Sequence, residues 1–340
     1  MTTASGQTAI LEEAQLTARR IFDLVAPELL LVEAEFERQA RSNIQVIAYI
    51  GVHLRRSGGK RVRPALTVLS NYAVGGDGGN QSSIRMATVM EFLHTATLVH
   101  DDVIDKAESR RNRPSINAEF GNQTAVLMGD WLYMSAFETS LAERSLEILD
   151  ILTAVTRKMT EGELLQLTLL SRTDISEAQY FDVIARKTAY LFSACCEIGA
   201  LLGGADRQTQ NLLRDYGMNL GIAFQLVDDL LDFTSSEAVL GKPAGADLLE
   251  GKVSLPLIFL LQRNPAMRTA IQTVIADGSY ARVSRDSLLS SLAESGALAL
   301  AHERAIEYAE AARASLDGLN GSPHAAALRS IPTYIVERDR

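Results

Sequence analysis

The chain has 340 residues, with 33 lysines and arginines against 42 aspartates and glutamates, giving a formal net charge of −9. That balance excludes a broadly basic surface of the kind that grips nucleic acid or anionic membrane, so any phosphate must be held by a local cationic cluster. Hydrophobic residues make up 47% and charged residues 22%, which excludes a disordered chain and leaves either one large helical domain or two smaller ones.

The start, Met1 to Gln7, lacks a basic segment followed by an apolar core, so no secretory signal is expected. Residues 1–15 read as a disordered N-terminus and 16–340 as one domain. Ser57-Gly58-Gly59 interrupts a helix and precedes a basic stretch, and Gly75 to Gln81 reads as a loop, with Ser82 or Ser83 placed to cap the next helix. In that helix Met86, Val89, Phe92, Leu93, Ala96 and Val99 recur at helical spacing. Asn112, Arg113 and Pro114 form the next break. Cys195 and Cys196 are adjacent, so they can neither staple distant segments nor bind metal by spacing; they suit a reducing cytoplasm. Gly203-Gly204 separates two helices, and Leu212, Tyr216, Leu220, Phe224, Val227 and Leu231 repeat the helical period. Thr234 to Gly251 is irregular, and Asp317 to Pro323 is a late loop. The apolar run Leu255 to Leu261 is far shorter than the roughly 20 residues a membrane span needs. With alternating strand patterns scarce, the fold class is all-α.

Two segments repeat one chemical pattern: Asp101-Asp102-Val103-Ile104-Asp105 and Asp228-Asp229-Leu230-Leu231-Asp232. On a helix Asp101 and Asp105 share a face, as do Asp228 and Asp232, while Asp102 and Asp229 point about 100° away. Like charges stacked this way destabilise an isolated helix, so a counter-charge is required. A single such triplet is ordinarily a solvated acidic face. Here each directly follows a strongly apolar stretch, HTATLVH or GIAFQLV, which a solvated face does not explain. Hard divalent cations fit: Mg²⁺ takes a few carboxylates plus substrate phosphates and water.

Cations accompany both triplets. Lys60, Arg61 and Arg63 follow the glycine pair, Arg110 and Arg111 follow the first triplet, Lys187-Thr188 lies between the triplets, and Lys242 and Lys252 follow the second. Arginine forks match phosphate oxygens and lysine supplies a compact charge. In a net acidic chain, these groups point to a diphosphate bridged by metal on one side and held by Lys and Arg on the other.

The motifs GGKRVRP (Gly58–Pro64), EFLHTATLVHDDVID (Glu91–Asp105), Arg110-Arg111, GDWLY (Gly129–Tyr133), KTA (Lys187–Ala189), GIAFQLVDDLLD (Gly221–Asp232) and GKPAGADLLEGKVSLPL (Gly241–Leu257) together resemble the trans-isoprenyl diphosphate synthases, or polyprenyl synthetases. The resemblance spans about residues 20–335. It implies a helical bundle around a deep central cavity, usually as a homodimer, and a cytoplasmic enzyme with at most transient membrane contact for product release. Under it, Asp101, Asp102 and Asp105 match the first aspartate-rich motif and Asp228, Asp229 and Asp232 the second, together binding three Mg²⁺ and the allylic diphosphate. Arg110, Lys187, Thr188, Gln225, Lys242 and Lys252 match positions around that diphosphate. Lys60, Arg63, His94 and Arg111 match the isopentenyl diphosphate pocket, and His100 is expected beside Asp101. Asn112, where glycine is common, and Lys106, where an acidic or small residue is common, depart from the pattern without removing a ligand.

The implied reaction is chain elongation by ionisation, condensation and elimination. The allylic C–O bond breaks as metal neutralises the diphosphate, with Lys187 and Lys242 stabilising the developing charge. The double bond of isopentenyl diphosphate attacks the cation, and a proton leaves, with the released diphosphate as acceptor. Catalytic roles therefore fall on Asp101, Asp102, Asp105, Lys187, Asp228 and Lys242. Product length depends on the helix before Asp101: Ala96 and Thr97 are small where short-chain synthases often carry an aromatic residue. The floor must then lie deeper, with Phe92, Leu93 and Met90, or Trp131 and Leu152, as candidates. A medium- to long-chain product, in the range of farnesylgeranyl to decaprenyl with about six to eight isoprene units favoured, is expected from this tunnel geometry. Rival readings are a geranylgeranyl- or farnesyl-type synthase, a non-catalytic subunit of a heteromeric synthase, and a terpene cyclase. The intact six aspartates oppose the subunit, and the second triplet with GGKRVRP opposes the cyclase.

Overall fold

The computed structural model describes residues 18–56, 58–111, 113–235, 245–319 and 321–337. Among these the regular structure is helical apart from one pair of two-residue strands. The helices as far as the second acidic motif are α1 (Ala18–Asp23), α2 (Ala26–Gln39), α3 (Gln45–Arg56), α4 (Val62–Ala73), α5 (Gln81–Ile104), α6 (Ile116–Phe120), α7 (Asn122–Ser140), α8 (Leu146–Leu169), α9 (Glu177–Ile184), α10 (Tyr190–Leu202) and α11 (Arg207–Thr234).

Helix α10 forms the centre. Every residue from Leu191 to Ala200 is buried, as expected for a helix apolar on all sides. It packs against α4 and α11, α5 packs against α7, and the later helix Ala297–Ala314 covers α11 from outside. Cys195 and Cys196 lie in this core as free thiols, pushed up by burial, Cys195 to about 12. The expected break at Gly203-Gly204 falls between helices, and the expected late loop ends one residue earlier than read, because Pro323 opens the last helix, Pro323–Val336.

Two local expectations change. Helix α5 is capped by Asn80, whose side chain accepts from the Ser83 backbone N–H at 2.8 Å, rather than by Ser82 or Ser83, because Ser83 lies inside the first turn. The segment around Arg113 is not a bare break: Ser109–Arg110 and Arg113–Pro114 pair antiparallel, and the Ser115 hydroxyl anchors the hairpin by donating to the Ala107 carbonyl at 2.5 Å. Asn112 lies outside the described residues, as do the expected N-terminal tail and Lys242. Lys106 adopts a left-handed φ of 52° directly after α5, which turns the chain toward the hairpin.

Between α9 and α10 the helix widens into a single π-turn, Ala185–Ala189, carrying Lys187 and Thr188. Two glycines let neighbours approach this turn. A Cβ at Gly162 of α8 would sit 2.9 Å from the Lys187 nitrogen, and one at Gly221 of α11 would sit 2.5 Å from the Ala189 Cα. Their absent side chains bring α8 and α11 against the turn. Glu163, beside Gly162, and Gln225, one helical turn beyond Gly221, come with them.

Candidate active site

Two connected cavities run between α5, α8, the π-turn and α11. One, of about 790 Å³, is lined by Lys60, Arg63, His94, Thr97 and Phe192, among others. The other, of about 420 Å³, is lined by Asp105, Tyr180, Asp229, Asp247 and Lys252. Asp101, Arg110, Lys187, Thr188, Gln225 and Asp228 line both, so each acidic triplet contributes its first member to a shared chamber.

The first triplet splits as helical spacing predicts. Asp101 and Asp105 face the chamber, whereas Asp102 turns aside. Asp102 is only 6% exposed and is held by Arg110 at 2.7 and 2.8 Å. Asp105, at the C-terminal end of α5, accepts from Lys252 at 3.1 Å. Burial opposes the charge on Lys252, but Asp105 and Glu250 outweigh it, and its pKa is raised. Asp101 has the Lys187 ammonium 3.6 Å away. Burial pushes its carboxyl up to about 6; Lys187 opposes this, while Glu163 and Asp105 add to it.

The second triplet divides differently. Asp228 lines both cavities. Asp229 is buried and accepts from the Tyr180 hydroxyl at 2.7 Å and from Gln225 at 2.8 Å; the Thr188 hydroxyl in turn donates to Gln225 at 2.8 Å. Burial and then Asp247 push Asp229 up to about 7, against those hydrogen bonds. Asp232 is buried under the returning chain, where its carboxylate accepts from the Asp247 backbone N–H at 3.3 Å. It therefore sits at the turn that begins at Gly245.

The donor set is one of hard oxygens, as Mg²⁺ prefers. Among the described residues no three ligating side chains converge tightly enough to form a metal cluster alone. Asp101, Asp105 and Asp228 instead line a chamber that has room for phosphate oxygens, and a divalent cation would relieve the burial and like charge that resist ionisation of Asp101. On both counts the residues fit a metal held jointly with a substrate.

On the other flank, Lys60 is exposed at the mouth, and the Arg63 guanidinium lies over the Phe192 ring, 4.9 Å from its centroid. Arg111 donates to the Gly58 carbonyl. His94 is held well below the usual imidazole range, first by burial and then by Arg63, Arg111, Arg110 and Arg61, so it faces the chamber neutral. His100 points away from the site: its Nε2 lies 3.1 Å from the Val126 carbonyl and 3.4 Å from Asp130. Thr97 lines the chamber, while Ala96, Leu93 and Phe92 are fully buried, Phe92 stacked on Phe36. Met90 and Leu152 are equally buried, and Trp131 is packed against the core.

Several groups of the site carried no signal in the sequence. Glu163 meets Lys187 at 2.7 Å, Tyr180 holds Asp229, Glu91 pairs with Arg61, and Gln166 and Asp247 line the smaller cavity. None belongs to a short-range charge pattern; Glu163 and Gln166 arrive from α8, and Tyr180, Glu91 and Asp247 each from another helix.

A helical bundle whose paired acidic motifs and basic rim line one deep chamber defines the class of isoprenyl-type synthases. The Polyprenyl synthetase family matches residues 44–290, and the chain belongs to that family. It is 38% identical over 326 residues to octaprenyl diphosphate synthase of Escherichia coli (strain K12), covering 96% of this chain and all of the relative. It is 35% identical over 292 residues to geranylgeranyl diphosphate synthase of Methanosarcina mazei, covering 84% of this chain and 88% of that one. Among solved structures it superposes on a polyprenyl synthase from Caulobacter crescentus CB15, complexed with calcium and isoprenyl diphosphate, with a TM-score of 0.89 and 35% identity, covering 95% of this chain and 98% of that one. The protein is a prenyltransferase, and its family depends on divalent metal. Among the described residues no helix is long and apolar enough to cross a membrane.

Proposed function

We propose that the protein condenses isopentenyl diphosphate onto an allylic diphosphate, farnesyl or geranylgeranyl diphosphate, to give an all-trans polyprenyl diphosphate of medium to long chain, with about six to eight units favoured. The observation that carries this reading is the shared chamber, with Asp101, Asp228 and Lys187 at its junction and a basic flank on one side. Identity to octaprenyl diphosphate synthases and the small residues Ala96 and Thr97 support the longer product. Identity to a geranylgeranyl diphosphate synthase keeps a short-chain product as the second reading.

Asp101, Asp105 and Asp228 would hold magnesium, three ions by family resemblance, with Asp102, Asp229 and Asp232 supporting them through Arg110, Tyr180 and the Gly245 turn. Bound magnesium supplies Lewis-acid neutralisation of the departing diphosphate. Lys187, Arg110 and Lys252 grip that diphosphate as its charge develops, and Lys242 is assigned the same duty by resemblance. Thr188 and Gln225 fix the orientation of Asp229 beside it. Lys60, Arg63 and Arg111 bind the diphosphate of isopentenyl diphosphate, and neutral His94 offers a hydrogen bond without adding charge. Leu98, Phe192 and Phe224 wall the chamber between the two sites and keep water from the cation.

We read residues 16–340 as one synthase domain acting in the cytoplasm as a homodimer. Exposed Leu127 and Met134, one above the other on α7, and exposed Leu164 on neighbouring α8 support a buried partner face. Incubation of purified protein with radiolabelled isopentenyl diphosphate, farnesyl diphosphate and Mg²⁺, followed by reverse-phase chromatography, tests the function. Elongated diphosphates of six to eight units are expected; products that stop at four units support the short-chain reading. Cyclic hydrocarbons, or no product without a partner chain, overturn the synthase reading.

A further inference from the structure

The segment GGKRVRP places three cations within four positions, Lys60, Arg61 and Arg63, and the composition of the motif alone would give all three to substrate. The geometry separates them. Arg61 is committed to protein: its Nε donates to Glu33 of α2 and its Nη1 to Glu91 of α5. The Arg61 side chain is 12% exposed and that of Glu91 is 7% exposed, so this pairing is largely withdrawn from water.

The backbone of Arg61 is as unusual as its partners. It is the N-cap of α4 and adopts a left-handed conformation, φ 49° and ψ 39°, without a side-chain cap. A non-glycine residue holds that conformation only where its surroundings over-determine it. Here the surroundings are two carboxylates on two different helices. The turn they secure decides where its neighbours point: Lys60 stands at the mouth of the larger cavity, and Arg63, one residue into α4, is carried over Phe192.

Charge gives a second reason. Lys60, Arg63, Arg110 and Arg111 all line that cavity and repel one another before any diphosphate enters. Burial opposes the charged forms of both Arg63 and Arg111, and Glu91 favours them. With Arg61 bound to it, Glu91 offsets the repulsion without presenting a free carboxylate to the incoming diphosphate.

We infer that Arg61 is a positioning residue for the isopentenyl diphosphate pocket, its guanidinium clamped between Glu33 and Glu91 so that the left-handed turn aims Lys60 and Arg63 into the chamber. This rests on the prenyltransferase reading and adds a residue that borders the same cavity but spends its guanidinium on protein carboxylates. Arg61→Gly keeps the backbone conformation accessible and removes only the clamp. Glu33→Gln weakens the clamp from a position outside the cavity lining. Initial rates measured against each substrate in turn separate the roles. Arg61→Gly is expected to raise KM for isopentenyl diphosphate about tenfold, with KM for farnesyl diphosphate within about twofold and kcat at saturation within about threefold of wild type. Glu33→Gln is expected to raise the same KM about threefold, the double variant to be no worse than Arg61→Gly, and Arg61→Lys to recover part of the loss. Wild-type KM for isopentenyl diphosphate in both Arg61→Gly and Glu33→Gln overturns the inference. So does a rise in both KM values together, which marks general loss of structure; should Arg61→Gly not fold, the same split is read from Glu33→Gln and Arg61→Lys. A wild-type enzyme that elongates nothing overturns the prenyltransferase reading itself, and this inference with it.

Discussion

The Lys187 ammonium sits 2.7 Å from the Glu163 carboxylate, while its other carboxylate neighbour, Asp101, lies at 3.6 Å. The shorter contact anchors a flexible lysine from α8, so that it already points at the junction of the two cavities. Glu163→Ala removes the anchor and is expected to lower kcat about tenfold; Glu163→Gln, which keeps an acceptor oxygen, is expected to lose about threefold. Steady-state rates of both variants check this, and equal losses would contradict the anchoring role.

Gly162 sets the depth of the π-turn. A Cβ there would meet the Arg186 Cβ at 2.8 Å and the Lys187 nitrogen at 2.9 Å, contacts that backbone cannot relieve without moving the turn. Gly162→Val is expected to cost about 1–3 kcal/mol of stability and to lower kcat about a hundredfold, because overpacking displaces Lys187 and Thr188 together. Denaturant unfolding followed by kinetics on the folded fraction measures both effects.

Much of this site was legible in the chain. The two acidic triplets and the helical phase of the first, with Asp102 turned aside, follow from residue spacing, since an α-helix fixes which side chains share a face; the second departs, because Asp229 lines the smaller cavity while Asp232, expected on the face of Asp228, is buried under the Gly245 turn. The partners of those groups did not follow. Tyr180 reaches Asp229 across 49 positions and Glu91 reaches Arg61 across 30, and such meetings are decided by how helices cross. The π-turn was hidden because ARKTA has ordinary helical composition, and the glycines that pack closely on it, Gly162 and Gly221, lie on other helices. The partners of His100 were hidden for the same reason: spacing sets it next to Asp101, but its contact with the Val126 carbonyl of α7 depends on how the two helices pack.

His94 predicts a pH dependence of stability. Burial, then the surrounding arginines, hold its folded pKa well below 6.5. Between that depressed value and 6.5 the unfolded chain binds more protons, so stability is complete above pH 6.5 and falls as pH drops below it. His94→Gln should flatten the acid side of the stability profile while raising KM for isopentenyl diphosphate. Urea midpoints across a pH series report the slope, and an unchanged slope in the variant would contradict the neutral buried state.

Product length is testable at neighbouring positions. Thr97 lines the chamber and Ala96 lies fully buried beside it. Thr97→Phe projects a ring into the space the growing chain needs and should shorten the product to about three or four units. Ala96→Phe is expected to shorten it as well, at an added cost of about 1–3 kcal/mol because the core must open for the ring. Reverse-phase analysis of dephosphorylated products reads both, and a wild-type distribution from the pair would remove this face of α5 from chain-length control.

The central claim is that the two acidic motifs act as one metal-dependent diphosphate site. The most direct measurement is the initial rate of radiolabelled isopentenyl diphosphate incorporation for wild type, Asp101→Ala and Asp228→Ala, each after chelation and again after magnesium is restored. Chelated wild type should be inactive and recover fully with magnesium, while each variant should remain at least about a thousandfold slower at any magnesium concentration. Full activity in the chelated enzyme, or wild-type turnover in either variant, would contradict it.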